Sequence, residues 1–308
     1  MRCLEAVVSR AYIFTMADPF FFLPRRLRSL LPSRWRRDVP VVPVVRLAGA
    51  IGMNSPFSQS LTLAGCARTL EKAFAVKEAP AVALLINSPG GAPVQSHLIF
   101  KRIRALAEEK DKHVFAFVED AAASGGYMIA CAADEIFADP CSVVGSIGVV
   151  SAGFGFDKAI ARFGVERRVY TAGERKVTLD PFQPERAEDV ERLDGLLKEL
   201  HVVFADLVRS RRGSALTVDD ATVFSGEFWL ATQALGLGLL DGLGDVRGIL
   251  KARYGDDVRM PLIQGPSPFF LRKPGGFAGG VGAGLAHQAA SGAMAAAEER
   301  ALWARLGL

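Results

Sequence analysis

Residues Ala121-Ala122-Ala123-Ser124-Gly125-Gly126-Tyr127 constrain this 308-residue chain more than any other stretch. Before them, His113-Val114-Phe115-Ala116-Phe117-Val118 alternates and is bulky and β-prone, which predicts a buried strand. After them, Tyr127 to Ala133 predicts an apolar helix. One serine therefore sits in a sharp strand-to-helix turn, flanked by residues too small to cover it. Such a turn exposes the hydroxyl and points the first free helix N–H groups at whatever it attacks. An acyl-transfer nucleophile needs that geometry. The plain alternative is a serine cap on a tight turn.

Three further segments bear on the choice. Ile86-Asn87-Ser88-Pro89-Gly90-Gly91 ends the apolar run Ala81-Val82-Ala83-Leu84-Leu85 and hands over to a helical pattern from Val94 to Leu106. Paired glycines there let backbone N–H groups approach a ligand. The Gly91 and Gly125 N–H groups could together form an oxyanion hole, although Pro-Gly-Gly is also an ordinary turn. Thr171-Ala172-Gly173-Glu174-Arg175-Lys176 follows an expected short strand, Arg168-Val169-Tyr170. A lysine is ordinarily solvated surface charge. Lys176 becomes a general base only if burial lowers its pKa from about 10.4 toward neutrality. Its neighbours Val177 and Leu179 permit such a pocket. In Gly145-Ser146-Ile147-Gly148-Val149-Val150, read as a strand, Ser146 could orient the lysine amine or simply serve as a turn residue.

Together these four segments resemble the signal peptide peptidase A family of serine proteases, whose catalytic unit has the Clp protease/crotonase fold. The resemblance runs from about Val41 to Leu250. It includes Val223-Phe224-Ser225-Gly226 and Gln233-Ala234-Leu235-Gly236-Leu237-Gly238-Leu239-Leu240-Asp241-Gly242-Leu243-Gly244, similar to the family's closing helix and turn. It implies an α/β fold with repeated β-β-α units and a single catalytic domain. It also implies Ser124 as nucleophile, Lys176 as general base, oxyanion donors at Gly91 and Gly125, and Ser146 as the lysine-orienting serine. The chain has one copy of a unit that long members duplicate. In short members the resemblance implies a homo-oligomeric ring, with serine and lysine of one site coming from neighbouring subunits.

Histidine placement favours lysine as the base. Related Clp proteases place a histidine soon after the nucleophile, and Ala138 to Val150 contains none. A Gly-x-Ser-x-Gly elbow is also absent. His97, beside the glycine turn, and His113, at a strand start, read as structural. No zinc-type cluster and no phosphate loop occurs, so neither metal nor cofactor is expected. Cys3, Cys66, Cys131 and Cys141 lack disulfide-framework spacing, which suggests a reducing, cytoplasmic setting. Cys131 reads as a small core residue.

The pattern divides into a leader (1–40), a catalytic domain (41–260) and a Gly/Ala-rich tail (261–308). Within the domain, Pro184 to Arg212 carries Leu193, Leu196, Leu197, Leu200, Val203, Phe204 and Leu207 at helical spacing, a packed or subunit-contacting face. The net charge of +4 is mild but concentrated. In the leader, Arg25, Arg26, Arg28, Arg34, Arg36 and Arg37 interleave with Phe20, Phe21, Phe22, Leu27, Leu30, Leu31 and Trp35. That mixture suits peripheral contact with an anionic membrane or a disordered basic leader; no nucleic-acid motif accompanies it. Neither a signal peptide nor an N-terminal span is expected, because prolines and arginines interrupt every candidate. Gly275 to Ala297 has no charged side chain, yet it is dominated by small residues and reads as a flexible tail or peripheral helix.

The resulting expectation is a serine endopeptidase or oligopeptidase with a Ser124–Lys176 dyad, acting on extended peptides or signal-peptide remnants. A crotonase-type acyl-CoA enzyme would use the same fold and oxyanion donors without needing Ser124 or Lys176. A catalytically silent partner-binding module would keep the fold alone.

Overall fold

The computed structural model describes residues 39–52, 60–173, 175–264, 297 and 300–308. The chain divides into two units, Met1–Val39 and Pro40–Leu308. The basic leader up to residue 38 lies outside the described residues, as do residues 265–296, 298 and 299 of the Gly/Ala-rich tail.

Strands β1 (Val44–Ala48), β2 (Ala81–Ser88) and β3 (His113–Ala123) pair in parallel in that order. Helix α1 (Leu63–Phe74) connects β1 to β2, and α2 (Pro93–Lys110) connects β2 to β3. Parallel pairing requires such crossovers, because a tight hairpin can join only antiparallel strands. The sequence supplies their ends. The Thr62 hydroxyl accepts from the Gly65 N–H at 3.2 Å to cap α1. Pro93 opens α2, where its missing N–H costs nothing.

The 11-residue β3 serves two neighbours. Its first half pairs with β4 (Glu135–Ala138) and its last three residues with β5 (Val143–Gly145), both in parallel. Strand β6 (Phe228–Leu230) then pairs antiparallel with β5, while β7 (Gly242–Leu243) closes the far edge on β4. The central strands are buried on both faces, as parallel sheets require. Val82, Leu84, Ile86, Val114, Ala116 and Val118 face the larger core under the crossover helices. Ala81, Ala83, Phe115 and Phe117 face a smaller one with Leu250 of α8 (Val246–Tyr254). The fold is α/β with a mostly parallel sheet, as the sequence led us to expect. Its first three strands each precede one helix, and β4 and β5 run consecutively.

Two local expectations do not hold. Residues 168–170 form no strand, since no partner lies beside them and Tyr170 is almost fully exposed. Ser146 follows a strand rather than opening one, because the pairing of β5 with β3 ends at Gly145. The long helix is present as α5 (Ala187–Arg212), but its apolar face is divided. Phe204, Leu207 and Val208 are buried in the core, whereas Leu196, Leu200 and Val203 are exposed. Among the described residues no helix is long and apolar enough to cross a membrane.

Candidate active site

The site begins where β3 stops. Three alanines end the strand, and Ser124 follows with φ 51° and ψ −120°, a conformation a residue bearing a Cβ rarely adopts. Strain of this kind costs about 1–3 kcal/mol and persists only where the surroundings impose it. Here the Ser124 N–H is bound by the Gly145 carbonyl at 2.8 Å, and its carbonyl accepts from the Met128 N–H at 3.0 Å. Ser124 stays partly exposed, whereas the alanines before it and the helix after it, α3 (Gly125–Ala130), are buried. The sequence lacks the Gly-x-Ser-x-Gly pattern, yet it reaches the same strand, strained serine and helix arrangement.

The first turn of α3 packs too tightly for any side chain. A Cβ on Gly125 would lie 2.3 Å from Ser96 Oγ, and one on Gly126 would lie 2.6 Å from the Ser88 carbonyl oxygen. The far end of the helix is equally fixed. Arg211 donates to the Cys131 and Ala133 carbonyls at 2.9 Å each, and Arg104 to the Ala132 carbonyl at 3.1 Å. The Tyr127 hydroxyl donates to the Leu239 carbonyl at 2.8 Å. Cys131 is fully buried, as expected of a core residue, and burial pushes its thiol up to about 12.

The Pro-Gly-Gly turn abuts this serine. Gly90 (φ 101°) is so close that a Cβ there would lie 2.8 Å from Ser124 Cβ and 3.1 Å from the Gly125 nitrogen. Gly91 (φ 140°) pairs with Ile51 through its neighbours: the Ile51 N–H donates to the Gly90 carbonyl, and the Ala92 N–H to the Ile51 carbonyl, both at 2.8 Å. In a parallel bridge of that type the N–H of the middle residue points the other way. Among the described residues, the Gly91 N–H has no backbone or side-chain acceptor, and neither does that of Gly125.

Ser146 arrives from the next strand. Ala123 pairs with Gly145, so Ser146 follows beside Ser124. It too has a positive φ, 52°, and its N–H donates to the Glu227 carbonyl at 2.6 Å. The structure thus brings together Ser124, Gly125, Gly91 and Ser146. It does not bring Lys176 to them within one chain. Lys176 is exposed, and its amine has no hydrogen bond or ion pair among the described residues. The burial expected for Lys176 is therefore not supplied by the described residues. Val177 and Leu179, the proposed pocket walls, are themselves only partly buried.

Sequence reasoning missed several residues that shape the site. Asn87 bridges an irregularity where β3 gains residues relative to β2, donating to Asp120 at 2.6 Å and accepting from the Ala121 N–H at 3.3 Å. His201 on α5 donates from Nε2 to the Ile147 carbonyl at 3.3 Å, next to Ser146. Only contacts distant in sequence reveal either role. His97 and His113 are structural as read. His97 stacks on Phe100, and burial followed by the nearby Lys101 lowers its pKa; His113 contacts Glu135 Oε1 at 2.9 Å. Among the described residues no group of three or more His, Cys, Asp or Glu is placed to hold a metal.

Comparison with known proteins gives the same lineage. The model for peptidase family S49 matches residues 107–254, which includes Ser124, Ser146 and Lys176. A Synechocystis sp. protein named "Putative protease slr0021" is 32% identical over 65% of this chain and 73% of its own length. A Brucella abortus protein named "Na(+)/H(+) antiporter NhaA" is 53% identical over 99% of this chain but only 42% of its own length. This chain thus spans less than half of that relative. A solved membrane-bound stomatin-specific protease superposes with a TM-score of 0.43 at 15% identity, covering 69% of this chain and 84% of that one. The match to the family model, together with a protease-named relative aligned over most of its length, shows that this chain belongs to peptidase family S49.

Proposed function

We propose that the chain is a serine endopeptidase or oligopeptidase in which Ser124 is the nucleophile and Lys176 of a neighbouring copy is the general base. The observation that carries this reading is the free Gly91 and Gly125 N–H pair beside a strained, partly exposed Ser124. Ser124 Oγ bonds to a peptide carbonyl carbon while a neutral lysine amine takes its proton. The carbonyl oxygen becomes an anion between the two N–H groups, each worth about 3 kcal/mol in such a role. The carbon–nitrogen bond then breaks, and the lysine returns the proton to the leaving amine. Water attacks the resulting ester by the same route and frees Ser124. Ser146, held beside Ser124, orients the amine.

Sharing between subunits is supported by the exposure of Lys176 and of large apolar side chains in the segment that precedes it. Phe154, Phe163 and Tyr170 are 81%, 84% and 91% exposed. A surface of that kind marks an interaction site, and a ring of copies would cover it while drying the lysine. Extended peptides are the natural substrates, since a chain lying along a strand presents successive carbonyls to a fixed nucleophile. The setting we propose is cytoplasmic, peripheral to the membrane through the basic leader. The decisive experiment is a peptidase assay of the wild type beside Ser124→Ala and Lys176→Ala. Both variants lose turnover on this reading, and Lys176→Arg fails as well because a guanidinium keeps its proton. Turnover retained in Ser124→Ala would remove Ser124 as the nucleophile, and a wild type without peptidase turnover would favour the crotonase-type or silent role.

A further inference from the structure

We propose that Ser88 is a positioning residue that sets which backbone N–H of the glycine turn reaches the oxyanion. The inference rests on the oxyanion role proposed above for Gly91. Ser88 ends β2 and is fully buried. Its hydroxyl donates to the Gly49 carbonyl at 2.7 Å and accepts from the Gly90 N–H at 3.2 Å. These two bonds tie the end of β1 to the turn and give the Gly90 N–H a partner inside the protein.

The turn's remaining donors can then be followed one at a time. Pro89 has no N–H, the Gly90 N–H binds Ser88 Oγ, and the Ala92 N–H binds the Ile51 carbonyl. Gly91 is left as the one residue between 89 and 92 whose N–H is free. Ser88 also touches the second donor's helix, because a Cβ on Gly126 would lie 3.2 Å from Ser88 Cβ as well as against its carbonyl. A single buried side chain thus contacts the elements that carry both N–H groups.

Removing the hydroxyl leaves a buried Gly90 N–H without an acceptor, which is unfavourable. The Pro89–Gly90 peptide can rotate to relieve it, since Gly90 already occupies a glycine conformation at φ 101°. Where the relief comes from a change of Gly90 φ, the Gly90–Gly91 peptide is carried along against the Ile51 N–H that holds its carbonyl at 2.8 Å, and the Gly91 N–H moves with it off the oxyanion position. Substrate binding in the ground state does not depend on that N–H, so the defect falls on the transition state.

The test compares wild type, Ser88→Ala and Ser88→Cys for kcat, KM and affinity for a peptide aldehyde, whose adduct with Ser124 places an oxygen in the oxyanion position. We expect Ser88→Ala to lower kcat about 10- to 100-fold with KM within about twofold, and aldehyde affinity to fall in parallel. Ser88→Cys, a weaker acceptor of nearly the same shape, lies between, and it carries the test if the alanine variant does not fold. A wild-type kcat, a change in KM alone, or loss of kcat with unchanged aldehyde affinity each overturns the role of Ser88. Ser124→Ala in the same assay separates the two proposals. An inactive Ser124→Ala beside a fully active Ser88→Ala defeats only the positioning role, and an active Ser124→Ala defeats the site itself.

Discussion

The segment that carries Ser124 and the segment that carries Lys176 are built in opposite ways. From Ala81 to Gly145 nearly every apolar side chain is buried, and the ends of β2, β3 and β5 are cross-linked around the serine. Among the described residues from 150 to 203 the regular elements are the six-residue α4 (Asp157–Arg162) and the first part of α5, and the large apolar side chains face outward. The first region is held firmly: Ile51 and Gly49 fix the glycine turn, and Arg211 and Leu239 fix the helix after the strained serine. The second is rich in charged side chains, and most of its large apolar ones are exposed among the described residues. The proposal that copies share a site rests on this contrast between a firmly held Ser124 and an exposed Lys176.

The largest effect expected from this contrast is complementation. Ser124→Ala and Lys176→Ala each lose about 10⁴-fold or more of turnover, as members of a catalytic unit do. Mixed after subunit exchange, they regain part of it, because some interfaces join an intact serine to an intact lysine. No recovery after verified exchange would place both residues in one chain and erase the contrast. A sharper version targets the outward face alone. Leu200→Glu with Val203→Glu puts charge on the exposed part of α5, so sedimentation should show smaller species and specific activity should fall about tenfold or more at micromolar protein. The folding midpoint should stay near wild type, since neither side chain is in the core.

The inward region should instead respond through stability. Arg212, buried at the end of α5, pairs with Asp241 at 2.7 Å and donates to the Gly238 carbonyl at 2.9 Å. Arg212→Ala leaves a carboxylate without its cation and should cost about 3 kcal/mol in denaturant unfolding. A loss below about 1 kcal/mol would mean water replaces the guanidinium freely.

The smallest effect lies at Asp134. Burial raises its pKa, but the Val114 N–H, Arg104, Arg211 and His113 outweigh burial and hold it below the ordinary 3.8. A carboxyl lowered in the folded state stabilises above its unfolded value and loses that contribution as pH falls through the folded one. Asp134→Asn should therefore cost about 1 kcal/mol near neutrality, and the difference from wild type should begin to shrink only near about pH 4 and vanish as pH falls through the lowered folded value. A difference independent of pH would assign the loss to packing.

Much of the site could be read in the chain itself because its signals are local. A continuous apolar run marked β2 and alternation marked β3, and Ser124-Gly125-Gly126 and Pro89-Gly90-Gly91 marked the joints where the backbone turns sharply. Heptad-like spacing likewise gave α5 to within three residues of its start. The strand expected at 168–170 failed because β-propensity needs a neighbouring edge, which no local pattern supplies.

Sequence alone determined the α/β class, the sharp turn at Ser124 and the family, since each depends on residues adjacent in the chain. Tertiary structure decided which N–H groups remain free, because that depends on Ile51, Gly49 and Gly145 arriving from elsewhere with their carbonyls. It also decided that Ser88 lies beneath both glycine turns and that Lys176 faces outward. Burial is a property of what packs against a residue, and for Lys176 the described residues provide nothing to do so.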